Sequence, residues 1–260
     1  MLHVALCADA RMSFAALTVV RSIARLNGPC TITFHFLHDG SVPEECLDEL
    51  RSEVSSLFAR GAFVAYERHW RHGYIGINPY VSRATMLRLL LPEALEVPRA
   101  IYLDLDLVVY LDLHELWSVD AGATGVAMRP EVSPGGACSK IYRSSWFEQR
   151  ISGNAGVMVL DLELLRRTGF SRFCASRPAG NDQSAINDWC AGRYAVLPRH
   201  CNLFRKFEAR EAAERYLRGE GFILHYNRPE KPWDHPDLEA AWLWWRLQED
   251  TSRDSLGRVA

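Results

Sequence analysis

The chain has 260 residues, of which 48% are hydrophobic, with a formal net charge of −2 and an isoelectric point near 6.5. This length suffices for one globular domain with a single large core, and the charge balance lacks the basic excess that nucleic acid or an anionic membrane surface attracts. The seven cysteines are odd in number and show neither a C-x-x-C pair nor zinc-site spacing, so we expect reduced thiols and a cytoplasmic protein.

The N-terminal stretch MLHVALCADARMSFAAL begins with an apolar run of the kind that opens a signal peptide. Asp9 and Arg11 interrupt this run before it reaches the usual secretory core of roughly seven to fifteen residues. We therefore predict a first β-strand at Leu2–Ala8. No stretch of the sequence approaches the roughly 20 apolar residues that span a bilayer, so we expect a protein that meets a membrane at most peripherally, at its inner face.

Strands and helices alternate in the N-terminal half. Runs of β-branched and aromatic residues indicate strands, and apolar residues at helical spacing indicate helices, with Ser13 as the N-cap of the first. The predicted elements after the first strand are a helix at Ser13–Leu26, a strand at Thr31–Leu37, a helix from Ser41–Glu45 to about Arg60, a strand at Ala62–Tyr66 and a helix at Val81–Leu91 closed by Pro92 and Pro98. This β-α-β-α-β order predicts an α/β fold with a mostly parallel sheet and helices on both faces.

The order of elements becomes mixed after Tyr110. Glu131–Arg150 contains Gly, Ser and Pro without a clear period, which predicts a long loop of the kind that often forms a lid. The other predicted elements are strands at Thr124–Met128 and Ala155–Asp161, short helices at Leu162–Arg167 and Gln183–Ala191, weak strands near Ala195 and Phe222, and a C-terminal helix that packs on the core through Leu238, Trp242, Trp245 and Leu247.

Two aspartates interrupt the apolar stretch RAIYLDLDLVVY at Arg99–Tyr110. Residues two apart on an extended chain share a side, so Tyr102, Asp104 and Asp106 point the same way. An unpaired buried carboxylate is costly, so we expect the pair at the end of a strand, where the ligand crevice of an open α/β sheet lies. Two carboxylates there suit a hard divalent cation that also binds phosphate oxygens. The alternative is a solvated pair without a ligand.

The segment LHYNRPEKPW at Leu224–Trp233 adds two residues with related chemistry. His225 is a candidate third metal ligand, and Lys231 is a mobile point charge suited to phosphate. A histidine after an apolar run is also commonly a packed core residue. Pro229 and Pro232 favour a rigid loop that presents both side chains together.

Several motifs therefore occur in a fixed order along the chain. They are the first strand with Asp9, a helical Arg88 and the segments YLDLDLVV, NAGVMVLDLELLR, NDQSAIN and HYNRPEKPW. Over about Leu2–Trp233 this order resembles the retaining glycosyltransferases of family eight. The resemblance implies an α/β protein of the GT-A fold, with a mixed, mostly parallel central sheet flanked by helices. It also implies one domain with a nucleotide-sugar half at about residues 1–110, an acceptor and metal half at about 111–235, and a C-terminal helix at 236–260.

The resemblance assigns a role to each motif. Asp104, Asp106 and His225 would hold Mn²⁺, or else Mg²⁺, against the diphosphate of a UDP-sugar donor. The remaining implied contacts to the donor are Ala8 and Asp9 with uracil and ribose, Arg88 with the sugar and phosphates, Leu105 within the D-x-D turn, Asn154, Ala155 and Gly156 with the sugar hydroxyls, Asp182 and Gln183 near the anomeric carbon, and Lys231 with the phosphate oxygens.

Each of these positions also has an interpretation that needs no donor. Arg88 could be a surface charge, the stretch GNAG an ordinary turn, and Asp182 the N-cap of the following helix. Some residues depart from the family pattern and leave the donor's identity open. They are Ala10, Arg11 and Met12 in place of polar and amide or tyrosine side chains, Gly153 in place of an aromatic residue, and Arg228 in place of glycine.

The resemblance predicts a retaining hexosyltransferase that moves galactose or glucose from a UDP-sugar to a saccharide or glycolipid acceptor, such as a surface glycan. The resemblance offers no well-placed carboxylate nucleophile, so we favour same-face attack, in which a phosphate oxygen of the leaving group accepts the acceptor's proton. We expect the loop at Glu131–Arg150 to close over the donor, with Tyr142, Trp146 and Phe147 available to stack on an acceptor sugar.

Two other functions remain open at this point. A haloacid-dehalogenase-type phosphatase would use Asp104 as its nucleophile, because Asp104–Val108 matches the D-x-D-x-(T/V) motif. That motif usually opens its fold, whereas three predicted strands precede it here. A non-catalytic sugar-nucleotide binder is the second alternative, and the presence of Asp182 and Gln183 argues against it.

Overall fold

The computed structural model describes residues 1–72, 82–132, 141–143, 149–177 and 181–254. Its strands are β1 (Leu2–Ala8), β2 (Thr31–His38), β3 (Arg60–Glu67), β4 (Arg99–Leu103), β5 (Leu107–Tyr110), β6 (Val126–Pro130), β7 (Ile141–Arg143), β8 (Gln149–Ile151), β9 (Gly153–Asp161), β10 (Ala195–Val196), β11 (Leu203–Phe204) and β12 (Phe222–His225). Its α-helices are α1 (Ser13–Asn27), α2 (Glu44–Leu57), α3 (Leu91–Ala94), α4 (Leu113–Trp117), α5 (Leu162–Thr168), α6 (Phe170–Ala175), α7 (Asp182–Cys190), α8 (Arg205–Arg218) and α9 (Ala241–Asp254), and two 3₁₀ helices span Arg83–Leu90 and Arg199–Asn202.

A seven-stranded mixed sheet lies at the centre, in the order β10-β6-β9-β4-β1-β2-β3. The pairs β1 with β2, β1 with β4, β2 with β3 and β6 with β10 are parallel, and β9 runs antiparallel to both of its neighbours. A second sheet has the order β11-β12-β5. Each face of the large sheet is covered by its own cluster of buried apolar residues, so the predicted mixed, mostly parallel sheet with helices on both sides is confirmed.

The N-terminal half follows the predicted alternation, with two corrections at helix ends. Met12, not Ser13, is the N-cap of α1, and Ser13 instead donates a hydrogen bond to the Ala10 carbonyl. The helix predicted at Val81–Leu91 is a 3₁₀ helix followed by α3. Pro92 lies in the first turn of α3 and does not end the helix, because proline is tolerated where the backbone N–H would have no helical partner.

The apolar stretch at Arg99–Tyr110 is not one strand. Leu103 ends β4 in the large sheet and Leu107 begins β5 in the second sheet, so the two aspartates lie at the crossover between sheets. The elements α4, α6, α8 and β11 were not predicted. Within the predicted loop at Glu131–Arg150, the described residues include part of an antiparallel hairpin of β7 with β8. Trp146 and Phe147 lie outside the described residues.

The C-terminal helix packs on the core as predicted, through Leu247 but not through the two predicted tryptophans. Leu243, Trp244 and Leu247 are buried, at the i, i+1 and i+4 positions of α9, whereas Trp242 and Trp245 are 40% and 37% exposed. The exposed tryptophans still have contacts, because Trp245 Nε1 donates to the Pro232 carbonyl at 2.9 Å and the Trp242 ring packs edge-on against Tyr216. Among the described residues, no helix has both the length and the apolar character required to cross a bilayer.

The described cysteines are all free thiols, and four of them are buried: Cys7, Cys174, Cys190 and Cys201. Cys138 lies outside the described residues. Burial raises the pKa of these four thiols, to about 12 for Cys190 and Cys201, so they stay protonated at neutral pH. The buried cysteines therefore act as small core residues.

Candidate active site

The two aspartates project from the three-residue crossover that connects β4 with β5. Hydrogen bonds fix its backbone at both ends: the Asp104 N–H donates to the Gly156 carbonyl at 2.8 Å, and the Tyr226 N–H donates to the Asp106 carbonyl at 2.9 Å. Leu105, between them, points away and is buried in the core. The crossover therefore turns both carboxylates toward the same side, as the alternation of side chains predicts.

His225, the last residue of β12, meets both carboxylates. Its Nε2 atom lies 3.2 Å from Asp106 Oδ1 and 3.8 Å from Asp104 Oδ2. One oxygen from each aspartate and one imidazole nitrogen lie within 4.8 Å of one another, although His225 is more than a hundred positions from the two aspartates in the sequence. This mixed oxygen and nitrogen donor set fits a divalent cation such as Mn²⁺.

Asp104 divides its two carboxylate oxygens between different tasks. Oδ1 accepts hydrogen bonds from Arg88 Nη2 at 2.6 Å and from the Tyr102 hydroxyl at 2.7 Å. Oδ2 remains on the side of His225. Two protein donors thus hold one oxygen so that the other faces the candidate metal position.

Asp106 contacts both Lys231 and His225. Lys231 Nζ lies 2.6 Å from its Oδ2 atom and also donates to the Tyr226 carbonyl at 2.7 Å. Burial alone would raise the pKa of Asp106, but its neighbours, the charge of Lys231 foremost, outweigh burial and hold that pKa well below its usual range. Asp106 is therefore ionised, as a metal ligand must be.

Arg88 is buried, with a side chain only 6% exposed, and does not lie on the surface. Its Nε atom lies 3.1 Å from Asp182 Oδ2, and its Nη1 atom donates to the Ala155 carbonyl at 3.1 Å. The guanidinium also lies over the Tyr102 ring, 4.6 Å from its centroid. Arg88 thus connects Asp104, Asp182 and the start of β9, and its implied contact with a donor remains a prediction.

Asp182 is the first residue of α7, and the N-cap is Asn181, whose side chain accepts from the Ser184 N–H. Burial raises the pKa of Asp182, and Arg88 offsets only part of that effect. The Asp182 carboxylate also accepts hydrogen bonds from backbone N–H groups at the start of α7. Its oxygens are therefore already bonded to the protein, which makes it a poor nucleophile.

A layer of amide side chains lies next to this cluster. Gln183 Oε1 accepts from the Ala155 N–H at 3.2 Å and from Asn154 Nδ2 at 3.3 Å. Asn154 Nδ2 also donates to Glu131 Oε1 at 3.3 Å. The segment at Asn154–Ala155 is therefore joined to the N-terminus of α7, as the resemblance requires if both are to contact one sugar.

Two glycines in β9 allow close packing at the site. A Cβ atom at Gly156 would lie 2.1 Å from His225 Cε1 and 3.0 Å from Asp104 Oδ2. A Cβ atom at Gly153 would lie 2.5 Å from the sulfur of Met128. Met128 thus fills the space that a larger residue at position 153 would need. This accounts for the glycine at a position where the family pattern has an aromatic residue.

Ala8 and Asp9 lie at the end of β1, on the same sheet edge as Asp104, because β1 and β4 are parallel neighbours. The Asp9 carboxylate accepts hydrogen bonds from the Arg11 N–H at 3.1 Å and from Arg11 Nη2 at 3.3 Å. The Arg11 side chain is 69% exposed. The structure therefore pairs Asp9 with a residue that departs from the family pattern.

Sequence reasoning missed Asn202, which is fully buried beside the cluster. Its Oδ1 atom lies 3.1 Å from His225 Nδ1, and its Nδ2 atom donates to Asn154 Oδ1 at 3.0 Å. Asn202 ends a one-turn 3₁₀ helix in the segment RHCNLF, which contains no motif. Only the pairing of β11 with β12 brings it beside His225.

A second group of possible ligands consists of Glu115, His200 and Cys201. Here His200 Nε2 already contacts Glu115 Oε1 directly, and the Cys201 sulfur lies 3.9 Å from the same oxygen. Burial and the charge of Glu115 raise the pKa of the Cys201 thiol to about 12. The His225 group is the better metal candidate, since its donor atoms are separated and its carboxylates are supported by cations.

The model of the family described as Glycosyl transferase family 8 matches residues 3–236. The chain belongs to this family. Among curated relatives, "Probable galacturonosyltransferase-like 6" of Arabidopsis thaliana is 32% identical over 190 residues, which are 66% of this chain and 54% of the relative. "Glycosyltransferase GlyF" of Streptococcus pneumoniae is 24% identical over 180 residues, 65% of this chain and 42% of the relative. The chain spans about half the length of the first curated relatives it matches.

Solved structures show the same fold. The galactosyltransferase LgtC in complex with donor and acceptor sugar analogs superposes with a TM-score of 0.75 at 20% identity, over 95% of this chain and 94% of the other. The glycosyltransferase GlyE of Streptococcus pneumoniae TIGR4 gives a TM-score of 0.70 at 20% identity, over 95% of this chain and 60% of the other. The predicted GT-A fold is confirmed for this member of family 8.

Proposed function

We propose that this family 8 protein is a metal-dependent retaining glycosyltransferase that moves a hexose from a UDP-sugar to a saccharide or glycolipid acceptor. The observation that carries the proposal is the convergence of Asp104, Asp106 and His225 at one crossover, with Lys231 alongside. A phosphatase would need one aspartate free as a nucleophile, but Asp104 is held by Arg88 and Tyr102 and Asp106 by Lys231. We expect the reaction to take place in the cytoplasm, at the inner membrane face where the acceptor is a glycolipid.

The first task of the site is to stabilise the leaving group. Asp104, Asp106 and His225 would hold a divalent cation, which when bound neutralises negative charge on the departing diphosphate. Lys231, which binds Asp106 Oδ2, would add a second positive charge beside the diphosphate. Both charges act where negative charge develops as the sugar departs.

The sugar side of the site is built from polar groups that are already ordered. Asn154, Ala155 and Gln183 are joined by hydrogen bonds, so they can bind sugar hydroxyls without first being organised. Asp182 carries negative charge near this layer but has its oxygens bonded to Arg88 and backbone N–H groups. This favours same-face attack over a covalent intermediate, with a diphosphate oxygen accepting the acceptor's proton.

The test is UDP-sugar hydrolysis by the purified chain with Mn²⁺, using UDP-glucose, UDP-galactose and UDP-galacturonate as separate donors. The third donor is included because a curated relative carries the name galacturonosyltransferase-like. We expect Asp104→Asn and Asp106→Asn to abolish hydrolysis, and the exposed Asp237→Asn to leave it unchanged. Activity of both site variants in EDTA would contradict the metal assignment.

Two further readouts separate the alternative functions. An aryl phosphate that is hydrolysed with Mg²⁺, while no UDP-sugar is consumed, would identify a phosphatase. UDP-sugar binding by calorimetry, without hydrolysis or transfer to any offered saccharide, would identify a non-catalytic binder. Transfer with retained anomeric configuration, read by NMR of the product, supports the proposal.

A further inference from the structure

We propose that Asn202 is a positioning residue that sets the tautomer of His225, so that the lone pair of Nε2 faces Asp104 and Asp106. The inference rests on the proposed function, because it concerns the ring that would bind the metal. It is carried by a chain of hydrogen bonds whose direction can be worked out from one backbone N–H group. That chain runs from Gly156 through Asn154 and Asn202 to His225.

The first link fixes the orientation of the Asn154 side chain. The Gly156 N–H lies 3.1 Å from Asn154 Oδ1, and a backbone N–H can only donate. The atom facing Gly156 must therefore be the amide oxygen. The amide nitrogen then faces Glu131 Oε1, which is a carboxylate oxygen and can accept. Both ends of Asn154 agree on this orientation.

The second link fixes Asn202. Because Asn154 presents its oxygen, the Asn202 atom that lies 3.0 Å from it must be the amide nitrogen. The amide oxygen of Asn202 therefore points the other way, toward His225 Nδ1 at 3.1 Å. An amide oxygen can only accept, so Nδ1 of His225 carries the proton.

The third link is the consequence for Nε2. In a neutral imidazole with a proton on Nδ1, Nε2 carries a lone pair and no proton. That lone pair faces Asp106 Oδ1 at 3.2 Å and Asp104 Oδ2 at 3.8 Å. A lone pair and two carboxylates repel one another unless a cation lies between them. The tautomer set by Asn202 is the one that a metal ligand requires.

The position of Asn202 is itself fixed by a buried ion pair. Arg129 Nη1 donates to the Asn202 carbonyl at 2.6 Å, and both Nη atoms of Arg129 bind the Glu208 carboxylate at 2.6 and 2.7 Å. Phe204, two residues later, pairs with His225 in the second sheet. These contacts hold the backbone of Asn202, and the hydrogen bonds with Asn154 and His225 hold its side-chain amide.

The test is Mn²⁺ affinity measured by titration calorimetry on the wild type, Asn202→Ala and Asn202→Asp. Asn202→Ala removes the acceptor, and we expect a loss of about 10–100-fold in affinity. Asn202→Asp keeps an oxygen that accepts from Nδ1, and we expect affinity within about threefold of the wild type. A role in packing alone predicts the opposite order, because the aspartate buries a charge and loses the amide donor to Asn154.

Asn27→Ala is the matched control, since Asn27 is also a fully buried asparagine, and its side chain bonds to Ile23 of α1, to Leu111 and to Leu113 of α4, away from the metal candidate. We expect it to lower stability and leave Mn²⁺ affinity unchanged. Equal affinity of Asn202→Ala and wild type, or equal losses in both Asn202 variants, would overturn the inference. Mn²⁺ binding by none of the proteins would contradict the metal site of the proposed function.

A direct measurement keeps the inference testable if the variants fold poorly or the metal is absent. The ¹⁵N shifts of the His225 ring in the metal-free wild type, at a pH where the ring is neutral, distinguish the two tautomers. We expect a protonated Nδ1 and an unprotonated Nε2. A neutral ring protonated on Nε2 would refute the role assigned to Asn202, whether or not the protein binds metal.

Discussion

Arg88 and Asp104 form a close ion pair in the candidate active site, with Arg88 Nη2 2.6 Å from Asp104 Oδ1. The same guanidinium binds Asp182 through Nε, so one positive charge offsets two carboxylates in a region with little water. The first prediction follows from this shared charge.

Replacing Arg88 is expected to destabilise the fold. Arg88→Met leaves Asp104 and Asp182 without their cation, and we expect a loss of about 3–5 kcal/mol in the free energy of unfolding. Arg88→Lys keeps the charge but loses the planar fork, so its loss should be smaller yet clear. Urea unfolding measures both. The exposed Arg167→Met is the control, and equal stability of Arg88→Met and the wild type would contradict the buried pair.

The Tyr102 hydroxyl is expected to support metal binding without being a ligand. It donates to Asp104 Oδ1 at 2.7 Å, so Tyr102→Phe leaves that oxygen with Arg88 alone and holds the carboxylate less firmly. We expect Mn²⁺ affinity to fall by about 3–10-fold, the equivalent of one hydrogen bond of about 0.5–1.5 kcal/mol. Tyr110→Phe is a matched control, because the buried Tyr110 hydroxyl has no hydrogen-bond partner among the described residues. A similar loss in both variants would refute the assignment.

Gly156→Ala is expected to displace the imidazole. The added methyl group would stand 2.1 Å from His225 Cε1, too close for both to remain in place. We expect Mn²⁺ affinity to drop by more than about 10-fold. Gly219→Ala serves for comparison, because Gly219 has a φ of +70° and open space around its Cβ position, so the change should cost about 1 kcal/mol of stability and no affinity. Unchanged calorimetric titrations for Gly156→Ala would disprove the close contact.

Stability is expected to fall in acid through Glu208. Burial would raise the pKa of Glu208, but hydrogen bonds from Arg129 and from the Phe204 N–H outweigh it and lower that pKa below its ordinary value of about 4.3. A carboxyl whose pKa is lowered by folding contributes stability above its unfolded pKa and loses that contribution as the pH falls through the folded value.

The comparison with Glu208→Gln isolates this contribution. At pH 7 we expect the variant to be about 3–5 kcal/mol less stable, since Arg129 is left without its partner. The difference in stability between the two proteins should narrow as the pH falls through the lowered pKa of Glu208, where the folded wild type protonates. Glu214→Gln, at an exposed pair with Arg210, should change stability by less than about 1 kcal/mol. A stability difference between the wild type and Glu208→Gln that does not depend on pH would contradict the role of the ionised carboxylate.

The sequence was sufficient for much of the α/β alternation and for the grouping of Asp104 and Asp106 on one side of the chain. Both depend on local periodicity, which the sequence displays directly. The change of sheet between Leu103 and Leu107 was hidden, because an uninterrupted apolar run looks the same whether one sheet or two bury it. Pro92 was read as a helix end, although the first turn of α3 accepts it.

The residues that orient the ligands could not be found from the sequence for a different reason. Asn202 and Arg88 act through side-chain contacts with residues 23 and 16 positions away or more, and these contacts exist only once the sheets have formed. A lone asparagine in RHCNLF carries no periodic signal. The side chains of Asn202 and Arg88 have no unusual chemistry, and their role depends on the residues that lie next to them in the folded chain.

The crossover from Asp104 to Asp106 has a mechanical consequence. Asp104 lies at the end of β4 in the seven-stranded sheet. Asp106 and His225 lie at the ends of β5 and β12 in the three-stranded sheet. An ion bound by all three side chains would link the two sheets across a crossover of only three residues. Binding of that ion would make the contact between the two sheets more rigid, and its release would make the contact less rigid. Hydrogen exchange of the β5 and β12 amides would measure this change.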